Sequence, residues 1–140
     1  MLTLTPAGYG EMVDHCLREL PNEACGFLAG RGGRVEQVLP VRSAAPRPDR
    51  YAMDPQDQFR AIDGIDRAGL EVSGIYHSHP DGPAAPSGID LEQVFWPGTE
   101  QPGYPGAVQV IVSLRDRGAP VVKGYVATAG RLLEAPIAVG

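Results

Sequence analysis

Cysteine, tryptophan and clustered positive charge are scarce in this chain. Its 140 residues hold two cysteines, one tryptophan and three histidines, and 12 Lys and Arg are set against 17 Asp and Glu, for a net charge of −5. Cys16 and Cys25 both lie in apolar helix and strand patterns, which argues against a disulfide framework, and no Cys-x-x-Cys pair exists to hold a metal or run redox chemistry. No block of Lys or Arg stands out, so the charge pattern gives no support to a nucleic-acid partner. No apolar run approaches the roughly 20 residues needed to span a bilayer. The N-terminus also lacks a basic-then-apolar signal segment, so no membrane role is expected and the cytoplasm is the default compartment. The length suits one compact domain, residues 1–140, able to bury a real core. A homodimer is neither indicated nor excluded.

What is present reads as alternating helices and strands. Thr5 followed by Pro6 has the form of an N-cap and first helical residue. Met12, Val13, Cys16, Leu17 and Leu20 then recur at helical spacing as one buried stripe, with His15 expected to be solvated. Ala24 to Ala29 reads as a buried strand, within which Cys25 is a small hydrophobe. Arg31-Gly32-Gly33-Arg34 reads as a tight turn, and Val35 to Val41 as the hairpin partner. A proline-punctuated loop, Ser43 to Arg50, leads to a second helix from Asp54-Pro55 to about Ala68, stopped by Gly69. The strand Glu71 to His79 follows. Ala107 to Leu114 and Pro120 to Thr128 read as further strands, and Leu132 to Val139 as a last edge strand. The expected fold class is α/β, a mixed β-sheet flanked by helices.

The chemistry concentrates in His77-Ser78-His79-Pro80 and in Ser87 and Asp90. Side chains alternate faces along a strand, so His77 and His79 point the same way. Pro80 has no N–H to donate and ends the ladder. Asp81-Gly82-Pro83-Ala84-Ala85-Pro86 is a loop, and Ser87 has the form of an N-cap with Asp90 at the third helical position. The helix is expected to run to Pro97-Gly98. Two imidazoles and a carboxylate, brought to one point by a strand end and a helix start, supply three metal ligands and leave a fourth position open. That arrangement suits an ion that activates water, and the donor types favour zinc, with iron or manganese as alternatives. Taken singly, each piece has a bland reading: His-x-His as surface polarity, Ser-x-x-Asp as a capping box. The long Gly98 to Gly106 connection is either a lid bordering the site or a plain surface turn.

His77-Ser78-His79-Pro80 through Ser87-Gly88-Ile89-Asp90, together with Pro21-Asn22-Glu23-Ala24-Cys25-Gly26, resembles the signature of the JAMM (MPN+) metalloproteases, over nearly the whole chain. The resemblance is to compact prokaryotic members that process sulfur-carrier or ubiquitin-like proteins. It implies a cytidine-deaminase-like fold, and one Zn2+ held by His77, His79 and Asp90. It further implies Glu23 as general acid/base, Ser87 as support for the oxyanion, and hydrolysis at the Gly-Gly tail of such a carrier. His15, Cys16 and Cys25 are the only other His or Cys residues, so no second zinc site is expected. Other readings remain: a DNA-repair-associated JAMM-type protein, a zinc deaminase (for which the Cys-x-x-Cys pair is missing), or a non-catalytic MPN interaction module.

Overall fold

A computed structural model describes all residues, Met1–Gly140. In chain order the elements are β1 (Leu2–Leu4), α1 (Pro6–Arg18), β2 (Cys25–Arg31), β3 (Arg34–Val41), α2 (Pro55–Arg67), β4 (Glu71–His79), α3 (Gly88–Val94), β5 (Val108–Ser113), β6 (Val121–Thr128), β7 (Arg131–Ala135) and β8 (Ile137–Val139). The local signals act as read. Thr5 Oγ1 accepts the Gly8 N–H, Asp54 accepts the Asp57 N–H at the head of α2, and Gly69 takes φ 68° just past its end. Gly32 and Gly33 both take positive φ in the β2–β3 turn, where a side chain would be strained.

All eight strands lie in one mixed sheet, ordered β7-β6-β5-β4-β2-β3-β1-β8. β4 and β5 run parallel, and β1 runs parallel to both β3 and β8; the other pairs are antiparallel. Pairing slips by one residue on both sides of β2 near Ala29, and such bulges sharpen the local twist. The sheet curls strongly. β7 and β8 stand at opposite ends of the order, yet only Pro136 separates them, so the two edges lie within two Cα–Cα steps, about 7.6 Å. Two segments therefore differ from the sequence reading. The expected single edge strand Leu132–Val139 is two strands on opposite edges, because Pro136 cannot donate to a ladder. β1, which the sequence reading left unassigned, fills the gap between β3 and β8.

The middle strands are buried on both faces. On one face α1 contributes Met12, Val13 and Cys16 to a core with Leu28, Tyr76, Val110 and Val112; on the other α2 contributes Ala61 and Ile65 to a core with Phe27, Ile75 and Ala107. Each such fully buried large apolar side chain is worth roughly 1.5–3 kcal/mol. Both cysteines are buried, free thiols. His15 is buried rather than solvated: its Nδ1 lies 2.7 Å from the Tyr76 hydroxyl, edge-on to that ring. It sits one helical turn from Met12, inside the covered stripe, and a buried phenol needs a polar partner. Burial lowers the pKa of this imidazole, against the opposing charge of Glu19.

Tyr76 lies flat across Gly26, its registered neighbour on β2; a Cβ at Gly26 would come 2.5 Å from three atoms of the Tyr76 side chain. Gly26→Ala should therefore destabilise the protein by about 1–3 kcal/mol, the usual cost of overpacking. Gly10→Ala, in α1 with open space around the new methyl, should be neutral or stabilising by up to about 1 kcal/mol. Thermal melts of the two variants check this, and equal midpoints would contradict it.

Candidate active site

β4 sorts its side chains by face. His77 and His79 point toward the α2–α3 side, whereas Tyr76 and Ser78 point back toward α1. The backward pair ties the strand down. Tyr76 engages His15, and Ser78 Oγ accepts the Ala24 N–H at 2.8 Å while the Ser78 N–H bonds the Ala24 carbonyl at 3.1 Å. These bonds place Glu23, in the turn between α1 and β2, beside the end of β4. The Glu23 N–H is taken by the Arg47 carbonyl at 2.9 Å, which brings the proline-rich loop over the site.

Beyond His79 the chain has no regular structure, but donors from neighbouring segments hold it. Arg117 Nη1 bonds the Pro80 carbonyl at 2.8 Å and Ser113 Oγ the Gly82 carbonyl at 2.6 Å. His79 Nδ1 reaches the Pro83 carbonyl at 2.8 Å and Tyr125 OH the Ala84 carbonyl at 2.5 Å. Ser87 and Asp90 then form a complete capping box: Ser87 Oγ accepts the Asp90 N–H at 3.1 Å, and Asp90 Oδ2 accepts the Ser87 N–H at 2.8 Å. α3 ends at Val94, short of Pro97. Phe95 is already extended and bridges Pro102, and the Gly103 N–H takes the Val94 carbonyl, so residues 95–103 fold back on themselves.

Three of the residues singled out in the sequence meet at one buried point. His77 Nε2 and His79 Nε2 are 3.2 Å apart, and each is 3.0 Å from an Asp90 carboxylate oxygen. The carbonyl of Pro83 can only accept, so His79 Nδ1 carries a proton, and in the neutral ring Nε2 presents its lone pair to the carboxylate. In the metal-free protein a second proton, on Nε2 of His79, can bridge that contact; in the neutral ring the place between the two atoms is open to a cation. A metal ion fits this donor set: arms of about 2.05 Å in a tetrahedron put neighbouring ligands roughly 3.3 Å apart. Burial alone would raise the Asp90 carboxyl, but hydrogen bonds from His77 and His79 hold it well below the usual carboxylate range. Burial also opposes charge on His79, yet Asp90 and the Pro83 carbonyl carry its pKa above the ordinary value.

Glu23 and Ser87 line the same cleft as His79. Glu23 is 5% exposed and its Oε1 has no hydrogen-bond partner. Burial pushes its carboxyl up to about 8, against the attraction of His79 and with help from Asp90 and Asp49. Near neutrality such a group can both take and give a proton. Tyr51 stacks on His77 with ring centres 5.1 Å apart and opens a second, largely apolar groove with Ile75, Phe95, Trp96 and Tyr104. The sequence reading passed over Tyr51 because nothing within its loop marks it; only the folded contact does.

The Glu23 shift has a direct consequence for the metal-free protein. In the unfolded chain Glu23 ionises near 4.5, whereas in the fold it keeps its proton to about 8. Its stabilising contribution is therefore complete below the lower value and is lost as pH rises through the upper one. Glu23→Gln should gain stability relative to the parent protein between those limits, and a saturating divalent cation should shrink the difference. Denaturant midpoints across the pH series check this, and parallel curves would contradict it.

Residues 6–123 match the family described as prokaryotic homologs of the JAB domain. The chain is 35% identical over 128 residues to a Mycobacterium tuberculosis CysO-cysteine peptidase, covering 90% of this chain and 82% of that one. It is 43% identical over 83 residues to a probable TtuB-protein conjugate cleaving protease of Thermus thermophilus, and 42% identical over 76 residues to a Pyrococcus furiosus desampylase. Those two matches cover 59% and 54% of this chain and span about half of each relative, 55% and 54% of their lengths. Among solved structures, protein DSY2949 of Desulfitobacterium hafniense superposes with a TM-score of 0.85 at 34% identity, over 100% of this chain and 93% of that one. The JAB1/MPN domain protein AF2198 of Archaeoglobus fulgidus, at 16% identity, shares the fold with a TM-score of 0.60 over 100% of this chain and 97% of its own. Matched over most of its sequence and superposed along its whole length, this chain belongs to the prokaryotic JAB-domain family of JAMM/MPN proteins.

Proposed function

We propose that the chain is a single-domain, zinc-dependent peptidase that hydrolyses the amide bond joining the C-terminal Gly-Gly of a ubiquitin-like or sulfur-carrier protein to an amine. The observation that carries this reading is the meeting of His77, His79 and Asp90 in a cleft that also holds the partnerless carboxylate of Glu23. The relatives named as a TtuB-protein conjugate cleaving protease and a CysO-cysteine peptidase support the substrate class. His77, His79 and Asp90 would hold the ion. When bound, such an ion lowers the pKa of water from about 15.7 toward 7 and polarises the scissile carbonyl.

The chain's own residues divide the remaining work. Glu23 takes the proton of the attacking water on its free carboxylate oxygen and delivers it to the departing amine. Ser87 donates its hydroxyl proton to the oxygen that becomes negative as water adds. Its capping bond uses an oxygen lone pair and leaves that proton free, so cap and oxyanion support are compatible. The groove beside Tyr51 gives an extended tail an apolar path to the same point. Glycine at the end of the tail allows the close approach that a side chain would obstruct.

Metal analysis and kinetics on a Gly-Gly carrier conjugate test the assignment. One metal ion per chain should co-purify, be lost from His77→Ala and Asp90→Ala, and be removed by a chelator with loss of activity but not of the fold. Glu23→Gln should keep the metal and bind substrate, yet cleave at least about a hundredfold more slowly. Ser87→Ala should lower kcat about tenfold to a thousandfold with little change in KM, alongside about 1 kcal/mol of lost stability from the cap. Near-normal turnover by Glu23→Gln would overturn the mechanism, and no cleavage of any carrier conjugate by the metal-loaded protein would overturn the function.

A further inference from the structure

Three glutamines line the apolar groove beside Tyr51. Two are engaged: Gln58 Nε2 donates to the Tyr104 hydroxyl and Gln93 Nε2 to the Tyr51 carbonyl, both at 2.6 Å. Gln109 differs. It is 5% exposed, it sits on β5 directly beside Ile75 of β4, and its amide has no hydrogen bond to any other group of the protein. The side chain is packed down to its tip, and the amide is left at the groove surface, where only water or a bound molecule can meet it. An unengaged amide held at an open groove, offering one acceptor and two donors, matches the C=O and N–H of a peptide group.

We propose that Gln109 is a substrate-binding residue that hydrogen-bonds the backbone of an extended peptide lying in the groove. The proposal rests on the peptidase reading and adds to it the point at which the tail is held. Ile75, His77 and His79 follow one another on the same face of β4, and Gln109 is level with Ile75. Side chains on one face of a strand repeat every two residues, about 6.6 Å, so an extended tail passing Gln109 reaches the metal ligands two or three residues later. Gln109 therefore grips the peptide group just upstream of the Gly-Gly pair. Backbone recognition at that point selects an extended chain with little regard to its side chains, while the aromatic walls reward an apolar one.

The chain carries its own reporter, since Trp96, the only tryptophan, lines this groove. The unconjugated tail peptide ending in Gly-Gly is a product and is not turned over, so its binding to the metal-loaded full chain can be followed by Trp96 emission. The parent protein should bind it saturably, and Gln109→Leu should bind at least about tenfold more weakly, as two lost hydrogen bonds dictate. The melting temperature of Gln109→Leu should be unchanged or higher, because the amide serves no internal bond; a structural glutamine would lower it. N-methylation of the peptide bond preceding Gly-Gly should weaken binding to the parent and barely alter binding to Gln109→Leu. Equal affinities for the two proteins, an equal response to N-methylation, or no binding by the parent would each overturn the proposal. Normal, Gln109-dependent peptide binding without cleavage of any conjugate would instead contradict the peptidase reading and leave the role of Gln109 standing.

Discussion

The structure turns on an electrostatic demand. Two imidazole nitrogens and a carboxylate are held about 3 Å from one another in a place with almost no solvent. Without a positive charge among them the arrangement is repulsive, and burial would favour a protonated carboxyl. The fold concentrates its strongest restraints here. β4 is hydrogen-bonded on both sides, to β2 and β5, and its backward-facing Tyr76 and Ser78 are anchored to α1 and to the turn that carries Glu23. The three side chains are thereby held at one point, where a proton on an imidazole balances the carboxylate in the metal-free protein and a metal ion would do so in the loaded one.

The same reasoning explains the loop after His79. With three prolines and a glycine, Pro80–Pro86 cannot pair its backbone internally. Its carbonyls are instead taken by Arg117, Ser113, His79 and Tyr125, which sit on or beside neighbouring strands. A segment irregular in form is thereby fixed in place, and the capping box passes that position on to Asp90. The placement of Asp90 thus depends on residues well beyond the signature, and Tyr125 and Ser113 support it without touching the point where His77, His79 and Asp90 meet.

Much of this was legible in the sequence because the signals are local. The caps at Thr5, Asp54 and Ser87, the paired glycines at 32 and 33, and the alternation from Glu71 to His79 each fix their own element within a few residues. The convergence of His77, His79 and Asp90 followed from a period of two and a capping position. What was not legible depends on closure of the sheet. β1 is three residues long and exists because β3 and β8 flank it; the split at Pro136 matters because the curled edges meet there. The burial of His15 has a different cause, the packing of α1 on the sheet. The residue lies within the covered stripe of α1, and only the register of the helix against Tyr76 shows that a polar partner waits there. Tyr51 and Gln109 belong to segments whose partners lie far away in sequence, and no local pattern marks them.

The central claim is that one metal ion sits among His77, His79 and Asp90 and that the neighbouring residues are arranged around it. The most direct measurement is a crystal structure of the metal-loaded protein with diffraction recorded on both sides of the zinc absorption edge. The account predicts a single anomalous peak per chain, at about 2.0–2.2 Å from His77 Nε2, His79 Nε2 and one Asp90 carboxylate oxygen, with the Glu23 carboxylate facing the open fourth position. A peak located elsewhere, or zinc-soaked crystals with these three side chains still bonded directly to one another, would contradict it.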